Sequence, residues 1–185
     1  MAPKLILASR SPQRRAILEQ LGIEFEVSVP DVEEVSGGDP REGVVENALR
    51  KARAVDGDCV LAADTAVVLG GQWYGKPADE REAESYLRTL SGRTHQVWSG
   101  IVLRDRDNER TGHAVTQVTF RQLEPADLRW YLDSGEWCER AGAYAIQGRG
   151  SALVEEIDGD FWNVVGLPVA ELVRLAPDVV RNGMP

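Results

Sequence analysis

A short apolar run near the start of the chain, Leu5 to Ala8, passes directly into serines and arginines. The run suits a strand buried on both faces, and Ser11 followed by Pro12 predicts a helix N-cap with proline at the first helical position. A strand, a tight turn and a helix in this order expose unpaired backbone N–H groups at the positive end of the helix dipole, which favours bound anions. Ser9 and Arg14 flank the turn, so the pattern predicts a phosphate site. The alternative is a capped surface helix with solvated arginines.

A carboxylate and a lysine stand out in residues 59 to 77. An apolar strand is predicted to end around Asp64 and to continue into a hairpin with a Gly-Gly turn. Because an unpaired buried carboxylate is costly, Asp64 must be paired, metal-bound or facing a cleft. Lys76 lies in an extended connection before a proline, where its ammonium can offset charge that develops on a phosphoryl group.

Acidic residues gather in the loop after a predicted strand over residues 23–29. Asp31, Glu33 and Glu34 lie close to glycine and proline turn signals, so these carboxylates belong to a connection rather than to a regular face. Either the loop is simply solvated, or one carboxylate binds a hard divalent cation such as Mg²⁺. That ion prefers one or two carboxylates together with substrate phosphates.

A helix is predicted to begin at Asp39 and Pro40. Its apolar face carries Val44, Val45, Ala48 and Ala52. This arrangement leaves Lys51 among the more exposed residues, where it reaches either phosphate or only water.

The rest of the chain alternates strands and helices. A helix is predicted over residues 80–90, and two long strands over 94–105 and 112–123 flank a charged turn. Residues 139–168 are rich in glycine and include the polar Gln147, which favours backbone approached closely by a ligand, or merely a Gly-rich hairpin. Without a linker or repeat, the pattern predicts one domain over residues 1–185 of the mixed α/β (α+β) class.

Composition excludes several classes of protein. A formal net charge of −9 over 185 residues argues against general nucleic-acid binding. No apolar run approaches the roughly 20 residues of a membrane helix, and no signal peptide is visible, so a cytoplasmic protein is expected. Cys59 and Cys138 lack CxxC spacing, which favours buried or inert thiols over a zinc or redox site.

Five blocks taken in order resemble the Maf family of nucleoside triphosphate pyrophosphatases: LILASRSPQRRAIL, ADTAVVLGGQWYGKP, SGRTHQVWSGI, AGAYAIQGRG and VVGLP. The resemblance runs over nearly the whole chain. It implies a twisted central mixed sheet flanked by helices, with two lobes around a cleft, and a fold related to the inosine triphosphate pyrophosphatases. It also implies a nucleoside triphosphate substrate and a homodimer.

The resemblance also implies roles for individual residues. Asp64 corresponds to the general base of the family. Glu34 matches a loop residue linked to a divalent metal, Mg²⁺ or Mn²⁺, which Asp64 would help to hold. The phosphate-binding and charge-stabilising residues correspond to Ser9, Arg14, Lys51 and Lys76. The implied reaction is hydrolysis between the α- and β-phosphates, which yields the monophosphate and pyrophosphate.

Three positions of the family separate enzymes for dTTP and UTP, typically Arg, Thr and Gln, from enzymes for 7-methyl-GTP, typically Trp, Gln and Glu. Here they are Gln13, Thr65 and Gln147, so two of the three match the dTTP/UTP pattern and Gln13 matches neither. Arg15 is a candidate for the missing cation. The alternatives are a 7-methyl-GTP or broad-specificity pyrophosphatase, a non-catalytic nucleotide-sensing module linked to cell division, or a purely structural partner protein.

Overall fold

A computed structural model describes residues 4–182 of the chain. Within that range, seven strands form one sheet: β1 (Leu5–Ala8), β2 (Phe25–Ser28), β3 (Cys59–Leu69), β4 (Gln72–Tyr74), β5 (Thr94–Asp105), β6 (Asn108–Phe120) and β7 (Val154–Asp158). The α-helices of the same range are α1 (Pro12–Gln20), α2 (Pro40–Arg53), α3 (Glu80–Leu90), α4 (Pro125–Leu132), α5 (Phe161–Val165), α6 (Val169–Leu175) and α7 (Pro177–Asn182). Two 3₁₀ turns cover Ala141–Ala143 and Gly148–Leu153.

The strands lie across the sheet in the order β2-β1-β3-β5-β6-β7, and β4 pairs with β3 off this path. β1 runs parallel to both β2 and β3, whereas the pairs β3–β4, β3–β5, β5–β6 and β6–β7 are antiparallel. This arrangement confirms the predicted mixed α/β class with a central mixed sheet flanked by helices.

Strand β3 has two different neighbours in succession along one edge. β1 pairs with it from Cys59 to Leu61, and β4 pairs with it from Val67 to Leu69, while β5 follows its other edge from Cys59 to Val68. Among residues 4–182, no strand pairs with the first edge between Ala62 and Ala66. The sheet therefore has an opening there, which we call the sheet gap, and the middle of β3 forms its floor.

Two large apolar cores lie on either side of the sheet gap. One joins β1, α1 and α6 to the first half of β3, and includes Leu7, Leu18, Leu61, Ile101 and Leu172. The other joins α3 and α4 to the second half of β3, and includes Val67, Leu87, Val97, Phe120 and Tyr131. Two lobes around a cleft follow from this separation, as the resemblance implies.

The helix starts lie where the sequence predicts them. The Ser11 hydroxyl accepts a hydrogen bond from the Arg14 backbone N–H at the start of α1. Asp39 accepts two backbone N–H groups at the start of α2, at 2.9 and 3.2 Å. Both caps precede a proline, so local chemistry alone determines where these helices begin.

Two boundaries differ from the predictions, and one open alternative is resolved. Asp64 lies in the middle of β3 rather than at its end, because β3 continues past the end of β1 to pair with β4. The charged turn is only two residues long, since Arg106 adopts a left-handed φ of 53° and pairing resumes at Asp105 with Asn108. The glycine-rich segment forms 3₁₀ turns followed by β7, which excludes the alternative of a simple hairpin there.

None of the helices in residues 4–182 is both long enough and apolar enough to cross a membrane. Of the two free thiols, Cys59 is buried, which raises its pKa to about 11, whereas Cys138 is exposed. The first cysteine is therefore buried, as expected, and the expectation that the exposed one is inert stays a prediction.

Candidate active site

A cleft of about 860 Å³ opens at the sheet gap between the two lobes. Its walls come from the β1–α1 turn, the acidic loop (residues 30–36), α2, the middle of β3 and the segment from 136 to 148. Nine residues predicted to take part in chemistry or binding line it: Ser9, Gln13, Arg14, Glu34, Lys51, Asp64, Thr65, Lys76 and Gln147.

Asp64 faces α2 on one side of the sheet and is 6% exposed. Its Oδ1 atom lies 2.6 Å from Lys51 Nζ, and its Oδ2 atom accepts a hydrogen bond of 2.9 Å from the Asn47 amide. The same Lys51 ammonium lies 2.7 Å from Glu34 Oε1. One buried cation thus joins two carboxylates, one from β3 and one from the acidic loop.

The prediction that Lys51 lies on the more exposed side of its helix is wrong. Its side chain is only 10% exposed, because Lys51 shares with Val44 and Ala48 the helical face that packs on the sheet. The charged ammonium is stable in this buried position because Asp64 and Glu34 compensate the cost of removing its charge from water. Lys51 therefore forms part of the wall of the cleft.

Gly100 allows α2 to lie close enough for these contacts. It is the partner of Asp64 across the β3–β5 ladder, and a Cβ at this position would lie 2.6 Å from the backbone nitrogen of Val45 and nearer still to the Val44 carbonyl. The backbone of α2 therefore rests directly on the sheet beside Asp64. Only glycine leaves room for this approach.

Thr65 follows Asp64 in the strand and faces the opposite side of the sheet, where Arg14 lies. Arg14 is buried; it donates from Nε to the Gly166 carbonyl at 2.8 Å, from Nη1 to Ser9 Oγ at 3.2 Å and from Nη2 to Thr65 Oγ1 at 3.1 Å. Burial lowers the pKa of this guanidinium, and the nearby carboxylates of Asp64 and Glu34 act in the opposite direction. The arrangement places a fixed cation at the β1–α1 turn, as a phosphate site requires.

Lys76 lies on the rim of the cleft, where its ammonium is 3.0 Å from Glu139 Oε2 and lowers the pKa of that carboxyl. Both side chains are largely exposed, so the ammonium is free to reach an anion in the cleft. Gln147 is exposed, and Gln13 accepts a hydrogen bond from Ser11 Oγ. Arg15 is exposed and is not among the residues that line the cleft, so it does not replace the cation missing at position 13.

Asn47 was not predicted as a site residue, although it is 1% exposed and hydrogen-bonded to Asp64. Its amide also receives the Val35 N–H and donates to the Val35 carbonyl. The signal that could have found it is spacing, because Asn47 and Lys51 are one helical turn apart in a face that is otherwise apolar.

The acidic side chains of the cleft are the candidate ligands for a divalent metal. Within residues 4–182, no three histidine, cysteine or acidic side chains converge on a common point. Glu34 and Asp64 do converge, since both contact the Lys51 ammonium. Two carboxylates fit Mg²⁺ or Mn²⁺ only where substrate phosphates and water complete the shell.

Known proteins resemble this chain over its length. A family profile described as "Maf-like protein" matches residues 4–179. A protein of Anaeromyxobacter dehalogenans named "dTTP/UTP pyrophosphatase" is 49% identical over 100% of this chain and 97% of its own length. A protein of Symbiobacterium thermophilum with the same name is 49% identical over 93% of this chain and 92% of its own length.

Among solved structures, the Ham1 protein of Staphylococcus aureus aligns with 63% of this chain and 71% of its own length, at 18% identity and a TM-score of 0.46. This overlap is too low to bear on the fold or on the function. The family profile and the full-length relatives are sufficient to establish the family of this chain. The chain belongs to the Maf-like protein family.

Proposed function

We propose that this protein is a nucleoside triphosphate pyrophosphatase that hydrolyses the bond between the α- and β-phosphates, and that dTTP and UTP are its preferred substrates. One observation carries the proposal: a buried carboxylate, Asp64, contacts Lys51 and lies near the buried Arg14 in a cleft at the sheet gap. The full-length relatives named for dTTP and UTP supply the substrate class.

Each side chain has a chemical role in this proposal. Asp64 orients and deprotonates the attacking water through Oδ1 once Lys51 has turned from that atom to a phosphate. Arg14 and Ser9 bind phosphate oxygens at the β1–α1 turn, and Lys76 approaches from the rim to stabilise charge on the phosphates. Positioned cations of this kind supply most of the catalysis in phosphoryl transfer.

A divalent cation, Mg²⁺ or Mn²⁺, belongs to the proposal. Glu34 and Asp64 would hold it together with the substrate phosphates, and when bound it would neutralise phosphate charge. The net charge of −9 is compatible with a polyanionic substrate because the cleft has its own cations.

Base recognition is assigned to Thr65 and Gln147, which both line the cleft. Gln13 departs from the arginine typical of the dTTP/UTP pattern, and its side chain lies at the start of α1, where it accepts from Ser11. A homodimer and a cytoplasmic location stay predictions from the resemblance and the sequence.

The test is release of pyrophosphate from dTTP, UTP, CTP, GTP and 7-methyl-GTP with Mg²⁺ or Mn²⁺. Asp64→Asn should lower kcat for dTTP by about 100-fold or more, since it removes the base. Asp107→Asn, at an exposed position in the β5–β6 turn, is the matched control and should behave like the wild-type protein.

Equal turnover by Asp64→Asn would exclude Asp64 from the chemistry. If no triphosphate is cleaved with either metal but nucleotides raise the melting temperature, the cleft belongs to a nucleotide-sensing module. Preferential cleavage of 7-methyl-GTP would contradict the substrate assignment and leave the reaction intact.

A further inference from the structure

Two side chains of α2 connect the same two parts of the cleft. Lys51 Nζ joins Asp64 Oδ1 to Glu34 Oε1, at 2.6 and 2.7 Å. One turn earlier, Asn47 joins Asp64 Oδ2, at 2.9 Å, to the backbone of Val35, the residue that follows Glu34. Strand β3 and the acidic loop are thus linked twice, once through a cation and once through a neutral amide.

The neutral link uses both N–H donors of the Asn47 amide and its carbonyl oxygen. Asn47 Oδ1 accepts the Val35 N–H at 2.7 Å, and its Nδ2 donates to the Val35 carbonyl at 2.9 Å and to Asp64 Oδ2. The side chain is 1% exposed, so its amide is fixed in one orientation. These contacts hold both the backbone of the acidic loop and one oxygen of the Asp64 carboxylate.

The two links differ in what an anionic substrate does to them. Lys51 is the cation nearest to Asp64, and phosphate groups entering the cleft compete with Asp64 and Glu34 for its ammonium. An uncharged amide saturated by three partners has no comparable attraction to phosphate. The Asn47 link therefore persists when the Lys51 link is broken.

We propose that Asn47 is a positioning residue: it holds the acidic loop against Asp64, and it orients the Asp64 carboxylate, independently of Lys51. The inference deepens the proposed function and, for its catalytic part, rests on it. Two residues of α2 thus have different roles: Lys51 turns to the substrate, and Asn47 maintains the geometry of the two carboxylates.

The structural half of the proposal is tested by amide hydrogen exchange at Val35 in the protein without nucleotide. Asn47→Ala should lower the protection of the Val35 amide at least tenfold, because its acceptor is removed. Lys51→Met should leave that protection within threefold of the wild-type value. Loss of protection in Lys51→Met equal to that in Asn47→Ala would overturn the claim of independence.

The catalytic half is tested with dTTP and Mg²⁺. Asn47→Ala should lower kcat 10- to 100-fold while KM changes less than threefold, as expected for a residue that orients a catalytic carboxylate and does not touch substrate. Thr116→Val is the matched control, since Thr116 is fully buried and also makes three hydrogen bonds, to Asp160 and Asn163, and none of these three residues lines the cleft. It should change both kcat and Val35 protection less than threefold.

The outcomes separate this inference from the proposed function. An active wild-type protein whose kcat and Val35 protection are unchanged by Asn47→Ala would refute the positioning role alone. A wild-type protein inactive on every triphosphate would refute the proposed function, while exchange at Val35 would still decide whether Asn47 anchors the acidic loop. Should Asn47→Ala fail to fold, Asn47→Ser keeps a polar group in place but is too short to bond Val35 and Asp64 together, and the same losses are expected.

Discussion

Replacing Gly100 with alanine should separate α2 from Asp64 without altering either of them. The added Cβ would lie 2.6 Å from Val45 N and nearer still to the Val44 carbonyl, so relief to the 3.4 Å of ordinary contact requires α2 to withdraw by at least about 0.8 Å. A movement of that size takes the Asn47–Asp64 hydrogen bond from 2.9 Å to about 3.7 Å, beyond bonding distance. The Lys51–Asp64 contact of 2.6 Å lengthens with it.

The expected cost has two parts. Overpacking at a helix–sheet contact lowers the free energy of unfolding by about 1–3 kcal/mol. Misplacement of catalytic groups by about 1 Å lowers kcat by roughly 100-fold. Urea denaturation and pyrophosphate release from dTTP measure the two effects on the same preparation.

Gly112→Ala is the control for overpacking alone. Its Cβ would meet the Glu171 side chain, 2.7 Å from Cδ, in the same sheet but away from the cleft. We expect a loss of stability with kcat near the wild-type value, because a carboxylate side chain can move where a helix backbone cannot. A folded Gly100→Ala protein with unchanged kcat would refute the view that this glycine sets the position of α2 over Asp64.

Two further predictions concern groups away from that contact. Burial lowers the pKa of His95 to about 4, so the unfolded chain binds the proton more tightly than the folded protein does. The free energy of unfolding, measured by urea denaturation, should therefore be highest above pH 6.5 and fall by about 3 kcal/mol as the pH drops to 4. His95→Gln should remove that part of the pH dependence, and an unchanged slope would contradict it. Lys76→Ala breaks an exposed ion pair and should alter stability by less than about 0.5 kcal/mol, yet lower kcat/KM for dTTP at least tenfold, since the proposed function assigns Lys76 to the substrate phosphates. Unchanged kinetics would remove Lys76 from the site.

Local chemistry made much of the fold predictable from the sequence. The Ser11-Pro12 and Asp39-Pro40 pairs predict helix starts because capping depends on adjacent residues only. Asp64 was identifiable because a carboxylate in an apolar strand demands a partner. These inferences require no knowledge of which elements are neighbours.

The remainder depends on packing across the sheet, which the sequence does not display. The burial of Lys51 follows from the position of α2 over β3 and β5, and the helical pattern alone did not distinguish its face from the solvent side. The roles of Asn47 and Gly100 depend on Asp64 lying opposite Gly100, a register that only the folded sheet establishes. The mid-strand position of Asp64 likewise results from an exchange of neighbours along β3.

The sheet gap lies where two consecutive residues of β3 face opposite ways, Asp64 toward α2 and Thr65 toward Arg14. A ligand that contacts both residues must lie across the unpaired edge of the strand, with its reacting bond on one side and its binding contacts on the other. In the proposed function, the two-residue repeat of the strand thus separates the hydrolytic side of the cleft from the side that recognises the substrate. Adding or deleting a single residue in β3 ahead of Asp64 would exchange the two compartments, which makes this strand intolerant of length change even where its residue types are free to vary.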